Sequence, residues 1–223
     1  MSDLADRLGA VRAGITDAAA RAGRDPESVR TIVVTKFHPA QLVRDLHALG
    51  VREFGESRHQ EAQPKVAELA DLDLPGDPLS WHFIGQLQSK KAKQVAAYAD
   101  VIHSLDRESL VANLPGSRAF LQVNLTDDPE RGGVTPDGVD RLAELAIAGG
   151  IDVLGLMAVA PLGVEPRHAF ARVRDLSERL VRTVPSATAL SMGMSGDYAD
   201  AILEGATHLR IGTAITGKRP TAG

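Results

Sequence analysis

The 223-residue chain is predicted to fold as one closed (β/α)8 barrel with an extra helix at its N-terminus, spanning residues 1–223 as a single domain. Three observations predict it. Short apolar, often β-branched runs alternate with amphipathic helical segments, eight such runs can be counted, and no linker between them is long enough to separate a second domain. Alternating strand and helix requires parallel pairing through right-handed crossovers, and eight such units close on themselves. An open doubly wound sheet is the competing arrangement, but the G-x-G-x-x-G turn that a dinucleotide-binding version carries after its first strand is absent.

The elements follow in order. Leu4, Leu8, Val11, Ile15 and Ala19 recur at helical spacing, giving an amphipathic helix over residues 2–22 that Gly23 ends. Thr31 to Thr35 is a β-branched run without polar alternation, as expected of a strand covered on both faces, and Lys36 closes it. Further strand cores are expected at 51–54, 80–84, 100–104, 119–125, 152–157, 187–192 and 208–211. Helices are expected at 39–49, 60–69, 86–98, 136–148, 166–184 and 198–204, and the barrel as a whole runs from about 30 to about 217.

Composition narrows the function. Twenty-five Lys and Arg against 29 Asp and Glu give a formal charge of -4, so no basic field draws in nucleic acid. No cysteine is present, which removes disulfides, thiolate nucleophiles and sulfur-ligated zinc and fits a cytoplasmic setting. The N-terminus lacks the basic start and apolar run of a signal peptide, and no stretch approaches the ~18 apolar residues of a membrane span.

In a barrel of this kind the chemistry sits at the C-terminal ends of the strands. Lys36 is the strongest signal there, because an ammonium closing an apolar strand is costly to desolvate unless it is paired, depressed in pKa or chemically consumed. A salt bridge to Glu56 is the structural alternative. After the seventh and eighth strands, Ser191-Met-Gly-Met-Ser195-Gly-Asp197 and Arg210-Ile-Gly212-Thr213 place glycines and hydroxyls between strand and helix, offering N–H groups to an anion. Asp197 is better read as a helix cap, since a carboxylate repels phosphate. A lysine on the first strand facing a phosphate cradle is what a barrel needs to hold pyridoxal 5'-phosphate as a Schiff base. Arg210 would then face the pyridine nitrogen and keep it unprotonated, making the ring a weak electron sink; an ion pair across the barrel is the alternative.

These residues resemble the pyridoxal-phosphate homeostasis proteins, single-domain relatives of the alanine racemase N-terminal barrel. The similarity runs through VVTKFHP around Lys36, FGES at 54–57, WHFIGQLQSKK at 81–91, IHSLDR at 102–107, QVNL at 122–125, GLM at 155–157, LSMGMSGDYADAI at 190–202 and LRIGTAITG at 209–217. The resemblance implies a TIM barrel with pyridoxal phosphate on Lys36, its phosphate held around Ser191, Ser195, Gly212 and Thr213, and Arg210 near the pyridine nitrogen. Ser57, His82, Asn124, Met157 and Met192 are candidates to line the pocket. It further implies storage or delivery of the cofactor and an influence on amino-acid and keto-acid balance, without robust turnover. Apo forms of pyridoxal-phosphate enzymes would be the recipients, and the protein would act as a monomer. Three positions depart from the family pattern: Ser57 replaces a common Asn, Arg131 a common Lys and Thr216 a common Phe.

Racemisation needs two opposed bases, and the only tyrosines, Tyr98 and Tyr198, fall on an outer helix and on the helix after the phosphate loop. A weakly active amino-acid racemase remains the main alternative. A triose-phosphate-type isomerase lacks its base, since Met157-Ala-Val-Ala160 supplies no glutamate, and a regulatory protein that uses the cofactor as a ligand switch is a third reading. His82 and His103, with Asp106 nearby, could suggest a metal, but no H-x-H or H-E-x-x-H pair supports one. Lys90, Lys91 and Lys93 read as a solvated face or as a dock for an acidic partner.

Overall fold

A computed structural model describes residues 2–219. Eight strands pair in chain order, all parallel, and the last closes on the first: β1 (Arg30–Val34), β2 (Glu53–Glu56), β3 (Ser80–Phe83), β4 (Val101–Leu105), β5 (Arg118–Gln122), β6 (Asp152–Met157), β7 (Ala189–Ser191) and β8 (His208–Ile211). Around them lie α1 (Ser2–Arg21), α2 (Ala40–Ala48), α3 (His59–Glu68), α4 (Ala92–Ala96), α5 (Glu108–Val111), α6 (Val139–Ala148), α7 (Pro166–Thr183), α8 (Tyr198–Leu203) and α9 (Thr213–Thr216). The chain is therefore the (β/α)8 barrel that its alternating pattern predicts, with α1 as the added helix.

Local chemistry sets the boundaries. Pro166 opens α7 where a missing N–H matters least, and the Glu165 carboxylate accepts from the His168 N–H. At the end of α2, Gly50 takes φ +83° and the Val51 N–H bonds the Leu46 carbonyl. Val51 thus belongs to a helix cap, and β2 starts at Glu53 rather than at Val51. The helix expected over 86–98 is shorter, a 3-10 turn at Ser89–Lys91 running into α4. Helices α5 and α9, four residues each, have no counterpart among the expected elements, because one turn carries no readable period. Helix α1 packs against α8 and α9, and at Gly14 any Cβ would collide with the Tyr198 hydroxyl.

Strand alternation divides the side chains into two layers. One face of each strand joins the helices in an extended aliphatic layer that includes Val33, Phe54, Trp81, Ile102, Leu121, Leu156, Met192, Leu209 and Ile211. The other face fills the barrel, where a small apolar group of Val101, Phe120 and Met157 with Leu154 and Ala189 is surrounded by polar residues. Among those polar residues, His82, His103, Ser191 and Arg210 are all buried.

Candidate functional site

The mouth of the barrel is formed by the turns that follow β1, β7 and β8. Lys36 lies two residues beyond the end of β1, in a turn, and is exposed. It therefore carries no burial penalty, contrary to the expectation of an ammonium sheltered in the barrel. Its Nζ stands 5.8 Å from the centroid of the Phe37 ring, which Arg58 and Arg219 also face at 4.9 and 3.9 Å. Phe37 itself has φ +68°, the left-handed region that a bulky L residue seldom occupies. A carboxylate tethers it there, since Glu61 accepts from the Phe37 N–H at 3.2 Å.

The salt bridge between Lys36 and Glu56 is not formed. Glu56 points out of the barrel into the helix layer, where it accepts from Lys65 Nζ at 2.5 Å and Thr35 Oγ1 at 2.8 Å. Lys65, buried, also donates to the Thr35 carbonyl at 3.0 Å. Burial raises the Glu56 pKa above its ordinary value, although Lys65 and Thr35 pull the other way. Both bonds fall on one carboxylate oxygen, and Glu56 Oε2 is buried without a partner among the described residues.

On the same rim, beside the β1 turn, Ser195 Oγ accepts from the Ala214 N–H at 3.3 Å, tying the β7 turn to the β8 turn. The backbone N–H groups of Ser195 and Gly196 bond no protein acceptor among the described residues, and Thr213, exposed, begins α9. Asp197 stands at the N-cap position of α8, but its side chain makes no cap hydrogen bond to the helix, contrary to the cap reading: its Oδ1 accepts instead from the Met194 N–H at 2.6 Å, within the β7 turn. Gly193 is needed at φ +91°, where a Cβ would lie 2.6 Å from Ala201 Cβ. Helices α8 and α9 are six and four residues long. Loop N–H groups and hydroxyls, rather than a helix dipole, are what this rim offers an anion.

Arg210 lies on the inner face of β8 below that rim. Its Nη1 donates to Ser191 Oγ at 2.7 Å and its Nη2 to the Ala158 carbonyl at 2.9 Å. Burial lowers its pKa to about 10, against the attraction of Asp197, so it stays cationic at neutral pH. The cross-barrel ion pair that is the alternative for Arg210 is not formed among the described residues.

The pocket-lining candidates divide. Met157 faces the barrel interior. Met192 does not: it is fully buried in the outer aliphatic layer, because it alternates with the inward Ser191. His82 faces inward but at the opposite end, where it meets Glu53 and Ser80 in a basal cleft of about 200 Å³. Asn124 is committed to its own loop, accepting from the Thr126 N–H and hydroxyl and donating to the Asp128 carbonyl. Ser57 lines a separate cavity of about 180 Å³ with His59, Gln86 and Lys91, while Arg131 borders another with Gln122 and Asn124. Neither tyrosine reaches the mouth: Tyr98 stacks on His59 at 5.9 Å outside the barrel, and Tyr198 meets α1. Among the described residues no group of His, Asp and Glu side chains is arranged to hold a metal, and no helix is long and apolar enough to cross a membrane. Sequence reasoning misses Glu53 and Lys65; the three-residue spacing of Glu53 and Glu56, which puts them on opposite faces of one strand, is the available signal.

The chain and its fold are matched in known proteins. The family described as "Alanine racemase, N-terminal domain" matches residues 7–220. The pyridoxal phosphate homeostasis protein of Pseudomonas aeruginosa is 42% identical, covering 98% of this chain and 97% of that one, and that of Escherichia coli is 36% identical over 98% of each. The structure of PipY from Synechococcus elongatus with pyridoxal phosphate bound superposes with a TM-score of 0.81 at 37% identity, covering 96% of this chain and 100% of PipY. Alanine racemase of Clostridium difficile, at 14% identity and a TM-score of 0.70, covers 99% of this chain but is itself covered to 58%, and it shares the fold. The closed barrel and the family match together define a single-domain barrel of the alanine racemase N-terminal class. Within that class the chain belongs to the pyridoxal phosphate homeostasis protein family.

Proposed function

We propose that this protein binds pyridoxal 5'-phosphate at the mouth of the barrel and holds it for intracellular supply, influencing amino-acid and keto-acid balance without robust catalysis of its own. The observation that carries the reading is the placement of Lys36 just past β1 on the same rim as Ser195, Gly212 and Thr213, in a chain whose relatives bear that cofactor in their names. The residues fit the group: free loop N–H groups and hydroxyls suit a phosphate, an exposed primary amine suits an aldehyde, and a buried guanidinium suits an unprotonated ring nitrogen. Bound there, the cofactor supplies an aldehyde that the Lys36 amine converts to a Schiff base with loss of water.

The protein's own residues would do the holding. Ser195, Gly212 and Thr213 orient the anionic end, with Ser191 completing the set from inside the barrel. Arg210, pinned by two hydrogen bonds, presents a cation that cannot give up its proton at neutral pH and so discourages carbanion chemistry. The absence of turnover is supported by Tyr98 and Tyr198, which lie away from the mouth and offer no second acid or base there. Delivery to apo enzymes, action as a monomer and a cytoplasmic setting complete the reading.

The test is borohydride reduction of the cofactor-loaded protein followed by peptide mapping. The expected result is a yellow protein labelled on Lys36, with Lys36→Ala losing the label and transferring cofactor to an apo enzyme far faster than wild type. A protein that stays colourless and unmodified in excess pyridoxal phosphate would refute it, and α-hydrogen exchange from alanine at ordinary enzyme rates would favour a racemase.

A further inference from the structure

A continuous hydrogen-bonded chain crosses the barrel from its base to its mouth. Glu53 Oε2 meets His82 Nε2 at 2.5 Å, His82 Nδ1 meets His103 Nε2 at 2.9 Å, and His103 Nδ1 meets Ser191 Oγ at 2.8 Å. Arg210 then closes the chain on that same hydroxyl at 2.7 Å. Its lower end opens into the basal cleft lined by Arg30, Glu53, Ser80, His82, Arg118 and His208. Its middle is sealed, since His103 is fully buried and the Phe120 ring lies 4.6 Å from the His103 ring, and its upper end is Ser191, the last residue of β7, also buried.

Proton counting allows this chain two arrangements. A guanidinium only donates, so Ser191 Oγ always accepts from Arg210. With both imidazoles neutral, Ser191 donates its single proton to His103 Nδ1, His103 Nε2–H donates to His82 Nδ1, and His82 Nε2–H donates to the Glu53 carboxylate. One added proton reverses the upper links. His82, now doubly protonated, donates to His103 Nε2, and His103 Nδ1–H donates to Ser191 Oγ. The Ser191 hydroxyl proton is then released from His103. Every bond survives in both arrangements, and His103 is neutral in both.

We propose that Glu53, His82, His103 and Ser191 form a reversible proton relay in which protonation at the basal cleft turns the Ser191 hydroxyl from a donor to His103 into a donor free for a ligand that reaches it from the cofactor mouth. His103 is then a positioning residue that acts on the mouth through Ser191. The charged surroundings agree. His82 is held by Glu53, itself paired with Arg30 at 2.9 Å. Burial, with His82, Arg210 and His208 nearby, keeps the His103 pKa well below its ordinary value. His208 is lowered to about 4 by burial, with His82, Arg30 and Arg118 adding to that against Glu53, so it stays neutral near neutral pH. Asp197 is the carboxylate that attracts Arg210 from the mouth side. The relay also has a thermodynamic consequence: a ligand that accepts from Ser191 favours the protonated arrangement, so its binding takes up a proton at a cleft on the far side of the barrel.

The link from relay to ligand affinity rests on the proposed cofactor site, and the test separates the two. In the cofactor-free protein, nitrogen NMR of the histidine rings is expected to show His103 and His82 as Nε2–H tautomers at high pH. On acidification His103 should change to the Nδ1–H tautomer at the same midpoint at which His82 gains its second proton. His103 keeping one tautomer throughout, or the two rings changing at separate midpoints, overturns the relay whether or not the protein binds any cofactor. His103→Gln keeps one donor and one acceptor but cannot pass a proton, and His82→Gln is the second variant should the first not fold. The ratio of pyridoxal phosphate dissociation constants, variant over wild type, is expected to rise by up to about tenfold per pH unit as pH falls towards the midpoint of the cofactor-free protein and to level off below it, because the ligand's own titration cancels in the ratio. A flat ratio beside a confirmed tautomer change would overturn the coupling to the mouth. Failure of wild type to bind the cofactor would instead count against the proposed function and leave the relay to be decided by NMR.

Discussion

Strand β2 carries two glutamates three residues apart that meet opposite fates. Glu53 points into the barrel at its solvent-reached base, and Glu56 points out into the helix layer, where it is almost fully buried. At Glu53 burial pushes the pKa up, but the His82 hydrogen bond and the charges of His82 and Arg30 outweigh it and bring the value down to about 2. At Glu56 the partners are a buried lysine and a threonine, both on one oxygen, and burial prevails. What separates the two is less the number of partners than whether each carboxylate oxygen has one: Glu53 uses both, with Arg30 on Oε1 and His82 on Oε2, while Glu56 leaves Oε2 bare.

The largest expected effect comes from the sealed side. Lys65→Met would leave Glu56 without its cation in the aliphatic layer, at a cost of about 3–5 kcal/mol, as for other buried pairs broken on one side. Adding Glu56→Gln should recover most of that loss, because the uncompensated charge goes with it. Urea unfolding of the three proteins measures both steps. A single variant as stable as wild type would mean that water reaches Glu56 after all.

Next come opposite responses to acid. Glu53 has a folded pKa of about 2 against an ordinary 4.5, so its contribution is present above about 4.5 and is lost as pH falls towards 2. Glu56, with a raised pKa, favours the folded state below 4.5, and that contribution fades as pH rises through its folded value. Glu53→Gln should therefore flatten the acid limb of a stability–pH curve by about 1–2 kcal/mol, allowing for solvent screening at the cleft, and Glu56→Gln should steepen it. Stability measured by urea midpoints from pH 6 to about 3 checks this, and two variants bending the limb in the same direction would end the contrast.

Much of the fold is legible in the sequence because it depends on period. Apolar runs at 31–35, 80–84, 152–157 and 208–211 lie within a residue or two of β1, β3, β6 and β8, since a strand covered on both faces has little freedom in where its apolar run begins. The inward set is harder to read, because a continuous apolar run does not mark which parity faces the barrel. That is why the sequence points Met192 to the mouth when its neighbour Ser191 faces in, and why Lys65, on a helix of mixed polarity, gives no sign of pairing with Glu56. His82 and His103 look like lone histidines in sequence. They meet only because β3 and β4 are adjacent, and Ser191, 88 residues beyond His103, joins them across the barrel. Lys36 is legible at the correct strand end, but its exposure is not, because the strand stops two residues before it.

The smallest expected effect tests whether the base of the barrel is as open as its chemistry implies. Arg30 donates to Glu53 from a side chain that is 62% exposed, so the pair stands largely in water. Arg30→Ala should cost less than about 1 kcal/mol and the loss should shrink further in high salt, as exposed ion pairs do. His82 remains on the other oxygen, so Glu53 should keep a depressed pKa, and the acid limb should move only slightly towards that of Glu53→Gln. Urea midpoints at low and high salt read the difference. A loss of several kcal/mol, insensitive to salt, would place Arg30 and Glu53 in a setting as dry as that of Lys65 and Glu56, and the basal cleft could then no longer serve as the route by which protons reach His82.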